Sequence, residues 1–149
     1  MNLVPYQVTV GQEWVDYNQH LNEGAYGVIF SNATDQVLDQ LGWGSDYRRQ
    51  RGGTFYTVET HTRFLREAAL GTQLEVITFI LGSDHKRLHL WHELRRVADQ
   101  GAVATQESLL VHVDVASGRV KPMEALTGLA LASNRPPEVG RGIRPLSHE

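Results

Sequence analysis

The sequence contains no cysteine. Disulfides, thiolate nucleophiles and cysteine-based zinc sites are therefore excluded. No apolar run approaches the ~20 residues that a membrane-spanning helix needs. A basic excess is missing too: 14 Lys and Arg stand against 17 Asp and Glu, for a net charge of −3. Nucleic-acid binders normally carry a strong basic balance or a basic stripe. The first ten residues, Met1 to Val10, lack the positive region and the long apolar core of a secretion signal and read as a strand. The expectation is a soluble cytoplasmic protein with no membrane or nucleic-acid partner.

What is present is an ordinary globular composition, 41% hydrophobic and 21% charged over 149 residues, enough for one domain with its own core. The domain is expected over residues 1–133. From Asn134 onward Pro136-Pro137 and scattered glycines point to a mobile tail, residues 134–149.

Leu3 to Val15 is strand-like and runs into a polar loop, Asp16 to Asn22. From Gly24 the period changes. Ala25, Ile29, Ala33, Val37 and Leu41 recur every four residues, with Tyr26 and Phe30 on the adjoining row, which makes an apolar helical face. Asn22 suits the N-cap and Gly42 the C-terminal stop. A basic, glycine-rich connector follows, with Arg48, Arg49, Arg51, Gly52 and Gly53.

Four strand-like runs come next: Thr54–Arg66, Gln73–Leu81, Arg87–Val97 and Val103–Val115, separated by turn residues such as Gly82-Ser83-Asp84 and Asp99-Gln100-Gly101. In the third run Leu88, Leu90, His92 and Leu94 share one face, and His89, Trp91, Glu93 and Arg95 the other. A short helix is expected after Pro122, through Ala125, Leu126, Leu129 and Ala130. Strands this long exceed the usual ~5–6 residues, and one face of their sheet needs a cover. The helix from Gly24 is the one large apolar element able to supply it. The predicted class is α+β, a long antiparallel sheet wrapped around one central helix. Its remaining open edge disfavours a monomer.

Asp16-Tyr17-Asn18-Gln19-His20-Leu21-Asn22-Glu23-Gly24-Ala25-Tyr26 crowds acid, imidazole, amides and phenols into a strand-to-helix loop. Unpaired amides at a helix start carry partial positive charge. Those near Gly24 and Ala25 could polarise a carbonyl and hold a developing oxyanion, while Asp16 delivers a nucleophile to the same carbon. By spacing alone, Asp16 reads equally well as a carboxylate that caps a turn. Seven histidines raise the question of a metal. His89 and His92, three apart, fall on opposite faces of a strand, and no metal-binding motif occurs, so no metal is expected.

The stretch Trp14 to Tyr26 resembles the signature loop of hot-dog thioesterases related to 4-hydroxybenzoyl-CoA thioesterase. The resemblance runs from Val4 to about Leu131 and takes in Val58-Glu59, Phe64-Leu65-Arg66 and the Asp114–Gly118 turn. Tyr56-Thr57-Val58-Glu59-Thr60-His61 and Lys86-Arg87-Leu88-His89-Leu90 look like the betainyl-CoA thioesterases of carnitine breakdown. This likeness implies a single hot-dog domain, hydrolysis of a small acyl-CoA, and a homodimer or homotetramer. No cofactor is implied beyond the coenzyme A of the substrate.

It further implies Asp16 as nucleophile or base, with His20 and Asn22 orienting the loop, the Gly24 and Ala25 amides as oxyanion donors and Glu59 in support. Two positions depart from the family: Gln19 stands where many members have glycine, and Trp14 where many have a second Asp. A betainyl group would bring a trimethylammonium, for which Trp14, Tyr17, Tyr56, Trp91 and Glu59 are the candidate contacts; Tyr26 and His61 are further substrate-binding candidates. Arg63, Arg66, Lys86, Arg87 and the arginines of the connector are candidates for the CoA phosphates. Two alternatives stay open. A hot-dog hydratase typically has its His five residues after the Asp, with an intervening proline. Here the spacing from Asp16 to His20 is four and there is no proline. A non-catalytic acyl-CoA-binding module would have no need of Asp16.

Overall fold

A computed structural model describes residues 2–123, 136–143 and 146. Five strands and two α-helices make up its regular structure: β1 (Tyr6–Thr9), α1 (Glu23–Gln40), α2 (Ser45–Arg51), β2 (Gly53–Phe64), β3 (Gln73–Ser83), β4 (Arg87–Arg96) and β5 (Ala102–Asp114). The strands form one antiparallel sheet in the order β1-β3-β4-β5-β2. Consecutive hairpins connect β3, β4 and β5. β2 crosses over to the far edge, and β1 closes the opposite one.

Helix α1 covers one face of this sheet. Asn22 caps it, its Oδ1 accepting from Ala25 N–H at 3.0 Å, and Gly42 ends it at φ +81, a left-handed angle that glycine reaches without steric cost. Its buried row, Ala25, Tyr26, Ile29, Phe30, Ala33, Val37 and Leu38, is the one the apolar period marks out. It meets Leu74 and Val76 of β3, Leu88, Leu90 and Leu94 of β4, and Ala104 and Leu110 of β5. Burying each large side chain contributes about 1.5–3 kcal/mol.

One polar group lies in the middle of this core. His92 of β4 is fully buried beneath Phe30, the two rings stacked at 5.8 Å. Thr34 Oγ1 gives its proton to Phe30 O at 3.0 Å, so it accepts from His92 Nε2–H at 2.9 Å. His92 Nδ1 is then the acceptor for Thr78 Oγ1–H at 2.8 Å. In the neutral form with the proton on Nε2, both ring nitrogens are satisfied. Burial lowers the imidazole to a pKa of about 4.

The structure differs from the sequence reading in two elements. The first strand shrinks to Tyr6–Thr9 and gives way to a 3-10 turn at Gln12–Trp14, because after Val10 the backbone pairs with the 71–72 turn instead of with β3 (Val10 N to Thr72 O, 2.9 Å). The basic connector contains α2, seven polar residues without an apolar period, held down by Tyr47 on the buried His112. Gly53 is obligatory beneath that contact, since a Cβ there would lie 2.5 Å from His112 Nε2. The helix expected at 125–130 and residues 134, 135, 144, 145 and 147–149 of the tail lie outside the described residues. Within the described part of the tail, Gly140 N–H donates to both carboxylate oxygens of Glu107 on β5, at 2.9 and 3.1 Å.

Candidate active site

The loop singled out in the sequence folds back on itself as a two-stranded ribbon. Val15 and Leu21 bridge, Asp16 N–H donates to His20 O at 3.2 Å and Asn22 N–H to Trp14 O at 2.8 Å. Leu21 turns into the core. Asp16 and His20, directly opposite each other, share the other face, where side chains stand about 5 Å apart at Cβ.

Three residues, Tyr17 to Gln19, close the ribbon. Asn18 N–H caps Asp16 Oδ1 at 2.8 Å, and Gln19 sits at φ +61. That angle explains why glycine suits this position. Gln19 adopts it at a cost on the order of 1–2 kcal/mol, and the turn keeps its shape. The ribbon is pinned on its outer side by the β2–β3 connector: Leu21 N–H to Ala68 O at 2.8 Å and Leu70 N–H to Gln19 O at 3.0 Å. The turn role of Asp16 is thus real, and it engages Oδ1 only. Oδ2 has no partner among the described residues, and the side chain is open to solvent.

At the start of α1 the two expected oxyanion donors part company. The Ala25 amide is committed to the Asn22 cap. The Gly24 amide, one residue earlier in the first turn, has no intrahelical acceptor. A carbonyl oxygen would find its donor at Gly24, with Asp16 and Gly24 on either side of the Trp14–Asn22 hydrogen bond.

Around this pair stand groups from the end of β2. The Tyr26 ring meets Phe64 edge-on, at 5.0 Å and 83°, and its hydroxyl donates to Arg66 O at 3.3 Å. Burial, with a smaller contribution from the Glu67 charge, raises the Tyr26 phenol above its ordinary value. Glu67 Oε2 lies 2.9 Å from His20 Nδ1. The Arg66 side chain turns away toward the Asp99–Gly101 turn. Trp14 is half-buried against the core, and Tyr17 is 92% exposed.

The other predicted residues lie elsewhere on the chain. A bulge at Val58 leaves Glu59 and His61 on the sheet face away from α1. There they border a cavity of about 500 Å³ with His89, Glu107 and Arg141. Trp91 is buried on that same face, beside Phe79 and opposite Glu107. Tyr56 is half-exposed on the first half of β2. Lys86 and Arg87 sit at the β3–β4 turn, where Arg87 binds Asp84 at 2.6 Å and holds that carboxyl down to about 2. These last three belong to the opposite end of the sheet, separated from Asp16 by the length of α1, about 27 Å for 18 residues.

Arg63 also faces away from α1, its Nε and Nη2 buried with no partner among the described residues. No group of three or more potential metal ligands occurs among the described residues. None of their helices is long and apolar enough to cross a membrane. The sequence reading missed Glu67 and Phe64. An acid immediately after a strand that ends in exposed apolar residues, Phe64 and Leu65, was the available signal.

A wrapped antiparallel sheet, a single covering helix and an acid-bearing ribbon at its start define a hot-dog domain. The chain belongs to the thioesterase-like superfamily, whose family model matches residues 10–131. Among individual relatives it is 40% identical to the betainyl-CoA thioesterase of Pseudomonas aeruginosa over 122 residues, 82% of this chain and 77% of that protein. It is 39% identical over 146 residues to the L-carnitine dehydrogenase/betainyl-CoA thioesterase of Agrobacterium fabrum, covering 93% of this chain and 30% of that protein. A solved putative thioesterase from Pseudomonas putida KT2440 superposes with a TM-score of 0.77 at 33% identity, covering 99% of both chains. The protein is an acyl-CoA thioesterase by family.

Proposed function

We propose that this enzyme hydrolyses betainyl-CoA to glycine betaine and CoA, with Asp16 as its catalytic carboxylate. The relationship to the Pseudomonas aeruginosa enzyme supports the acyl group. The open Asp16 carboxylate on a ribbon that is hydrogen-bonded to the cap residue of α1 (Asn22 N–H to Trp14 O, 2.8 Å) supports the chemistry, and it is the observation that carries the reading. The thioester carbonyl docks its oxygen on Gly24 N–H, where the positive end of α1 stabilises the tetrahedral oxyanion. Asp16 Oδ2 either attacks the carbonyl carbon or takes a proton from the water that does. Collapse of the intermediate breaks the C–S bond and releases CoA thiolate; on the nucleophilic route a water then hydrolyses the Asp16 anhydride to glycine betaine, and on the base route the proton that Asp16 took passes to the thiolate. His20 and Asn22 hold the ribbon and the helix start in register.

A complete site calls for a second copy of the chain. β2 is an edge strand of 12 residues, and Tyr56, Val58 and Phe64 on it are 51%, 57% and 50% exposed. An open edge this long invites pairing. Antiparallel pairing of two β2 strands about a twofold axis carries Tyr56, Lys86 and Arg87 of one subunit toward the Asp16 end of the other. In that arrangement Lys86, with Arg63, is available to the CoA phosphates. The enzyme is expected to sediment as a dimer or a dimer of dimers. Val58→Asp sets two carboxylates against each other near the twofold; it should shift the mass to monomer and lower kcat/KM at least tenfold. A fully active monomer refutes the composite site.

The acyl assignment is tested by thiol release from betainyl-, acetyl-, benzoyl- and longer fatty acyl-CoAs. Betainyl-CoA is expected to lead by tenfold or more. A lead by another acyl group keeps the thioesterase and removes the betainyl reading.

A further inference from the structure

Resting on the betainyl reading, we infer that Glu67, with the Tyr26–Phe64 ring pair, is the element that recognises the positive charge of the acyl group. The betainyl group is short. Its quaternary nitrogen is separated from the carbonyl carbon by a single tetrahedral carbon, as N is from C within one amino acid, and so lies about 2.5 Å away. Once the carbonyl is held between Asp16 and Gly24, the cation has almost no freedom. Whatever binds it must stand in the shell around the start of α1.

That requirement removes Glu59 and Trp91 of the same chain. Glu59 is five residues up β2 from Phe64, about 17 Å along an extended strand. Both it and Trp91 are on the sheet face away from α1. The groups that do surround the start of α1 have the composition a trimethylammonium calls for. Phe64 is half-exposed and packed edge-on with Tyr26, so part of its ring surface is open. A quaternary ammonium gains from an aromatic face within about 6 Å.

Glu67 supplies the charge. Its Oε2 is steered over the Asp16 ribbon by His20 Nδ1 at 2.9 Å, and its field reaches the Tyr26 hydroxyl. Oε1 has no partner among the described residues. The neighbouring cation, Arg66, is spent on the Asp99–Gly101 turn, which leaves the negative potential of Glu67 and Asp16 uncompensated. The substrate's cation would neutralise it and at the same time stabilise the adjacent oxyanion.

The test compares betainyl-CoA with 3,3-dimethylbutyryl-CoA, which has the same shape with carbon in place of the charged nitrogen. Glu67→Gln keeps size and exposure and removes the charge. It is expected to lower the ratio of kcat/KM for the two substrates by tenfold or more, chiefly through the KM for betainyl-CoA. Glu67→Asp, which retains the charge, is expected to recover at least half of the wild-type ratio. Glu67→Lys should bring the ratio below that of Glu67→Gln. If Glu67→Gln slows both substrates equally, Glu67 only braces the ribbon through His20 and the inference is wrong. If the wild-type enzyme itself does not distinguish the two substrates, the betainyl reading falls and this inference with it.

Discussion

Asp16→Asn is expected to lower kcat/KM for the best acyl-CoA by roughly 10²–10⁴-fold, the range a positioned acid or base contributes. The substitution keeps the side chain's shape, and the amide oxygen can still accept the Asn18 N–H that holds Oδ1 at 2.8 Å. The ribbon should therefore stay folded. What disappears is the second carboxylate oxygen, the one directed to solvent and free of partners among the described residues. Affinity for the product CoA, measured by calorimetry, should be nearly unchanged, because nothing in the ribbon supplies a positive charge for phosphates except His20, which is turned to Glu67. Asp16→Asn activity within a few-fold of wild type would remove Asp16 from the mechanism. Equal losses of turnover and CoA binding would instead point to a collapsed loop.

The second large effect concerns stability against acid. His92 is neutral in the folded core, its pKa depressed to about 4, whereas an unfolded chain presents a histidine near 6.5. A depressed histidine favours the folded state fully above the unfolded value. As the pH falls below 6.5 the unfolded chain takes up a proton that the folded one refuses, and stability declines. Below about 4 both states are protonated and the decline from this group stops. Between these limits the loss approaches about 3 kcal/mol, a large share of a typical 5–15 kcal/mol.

Urea unfolding at pH 7 and pH 4.5 measures it. The control is His92→Gln, whose amide can donate to Thr34 and accept from Thr78 as the imidazole does but does not titrate. Its pH dependence is expected to be shallower than wild type by most of that amount. Parallel slopes would show that His92 opens to water before the protein unfolds. Asp84, Asp99 and Asp114 are also held down, by hydrogen bonds and neighbouring cations, and lose their contribution at lower pH in both proteins alike.

Much of the fold was legible because its signals were periodic. The four-residue spacing from Ala25 to Val37 placed α1 and its buried face. The alternation of Leu88, Leu90, His92 and Leu94 correctly put them on one face of β4, which the structure turns into the core. Where the chain has no period, the reading failed: α2 is short and polar throughout, and β1 is cut off by backbone pairing to a turn sixty residues away. The Asp16 ribbon was found from its crowding of functional groups. Its neighbours were not, since Glu67 reaches His20 only through the β2–β3 connector. The bulge at Val58, which no pattern of residues announces, puts Glu59 on the sheet face away from α1. Arg87 was correctly read as the start of a strand, but the distance of Lys86 and Arg87 from Asp16 follows from the direction of α1, a tertiary fact.

The bulge has one more consequence, for how this chain can change over generations. On both sides of Val58 the ladder with β5 is in register, Thr57 opposite Leu110 and Glu59 opposite Leu109, with Val58 unpaired between them. Loss of that codon would leave every other pairing of β2 intact and merely straighten the strand. Loss of a codon elsewhere in the strand would slide its neighbours by one and turn core-facing residues outward. Val58 is therefore the hinge at which β2 tolerates a change of length, and related chains of unequal length are expected to differ there before they differ anywhere else in that strand.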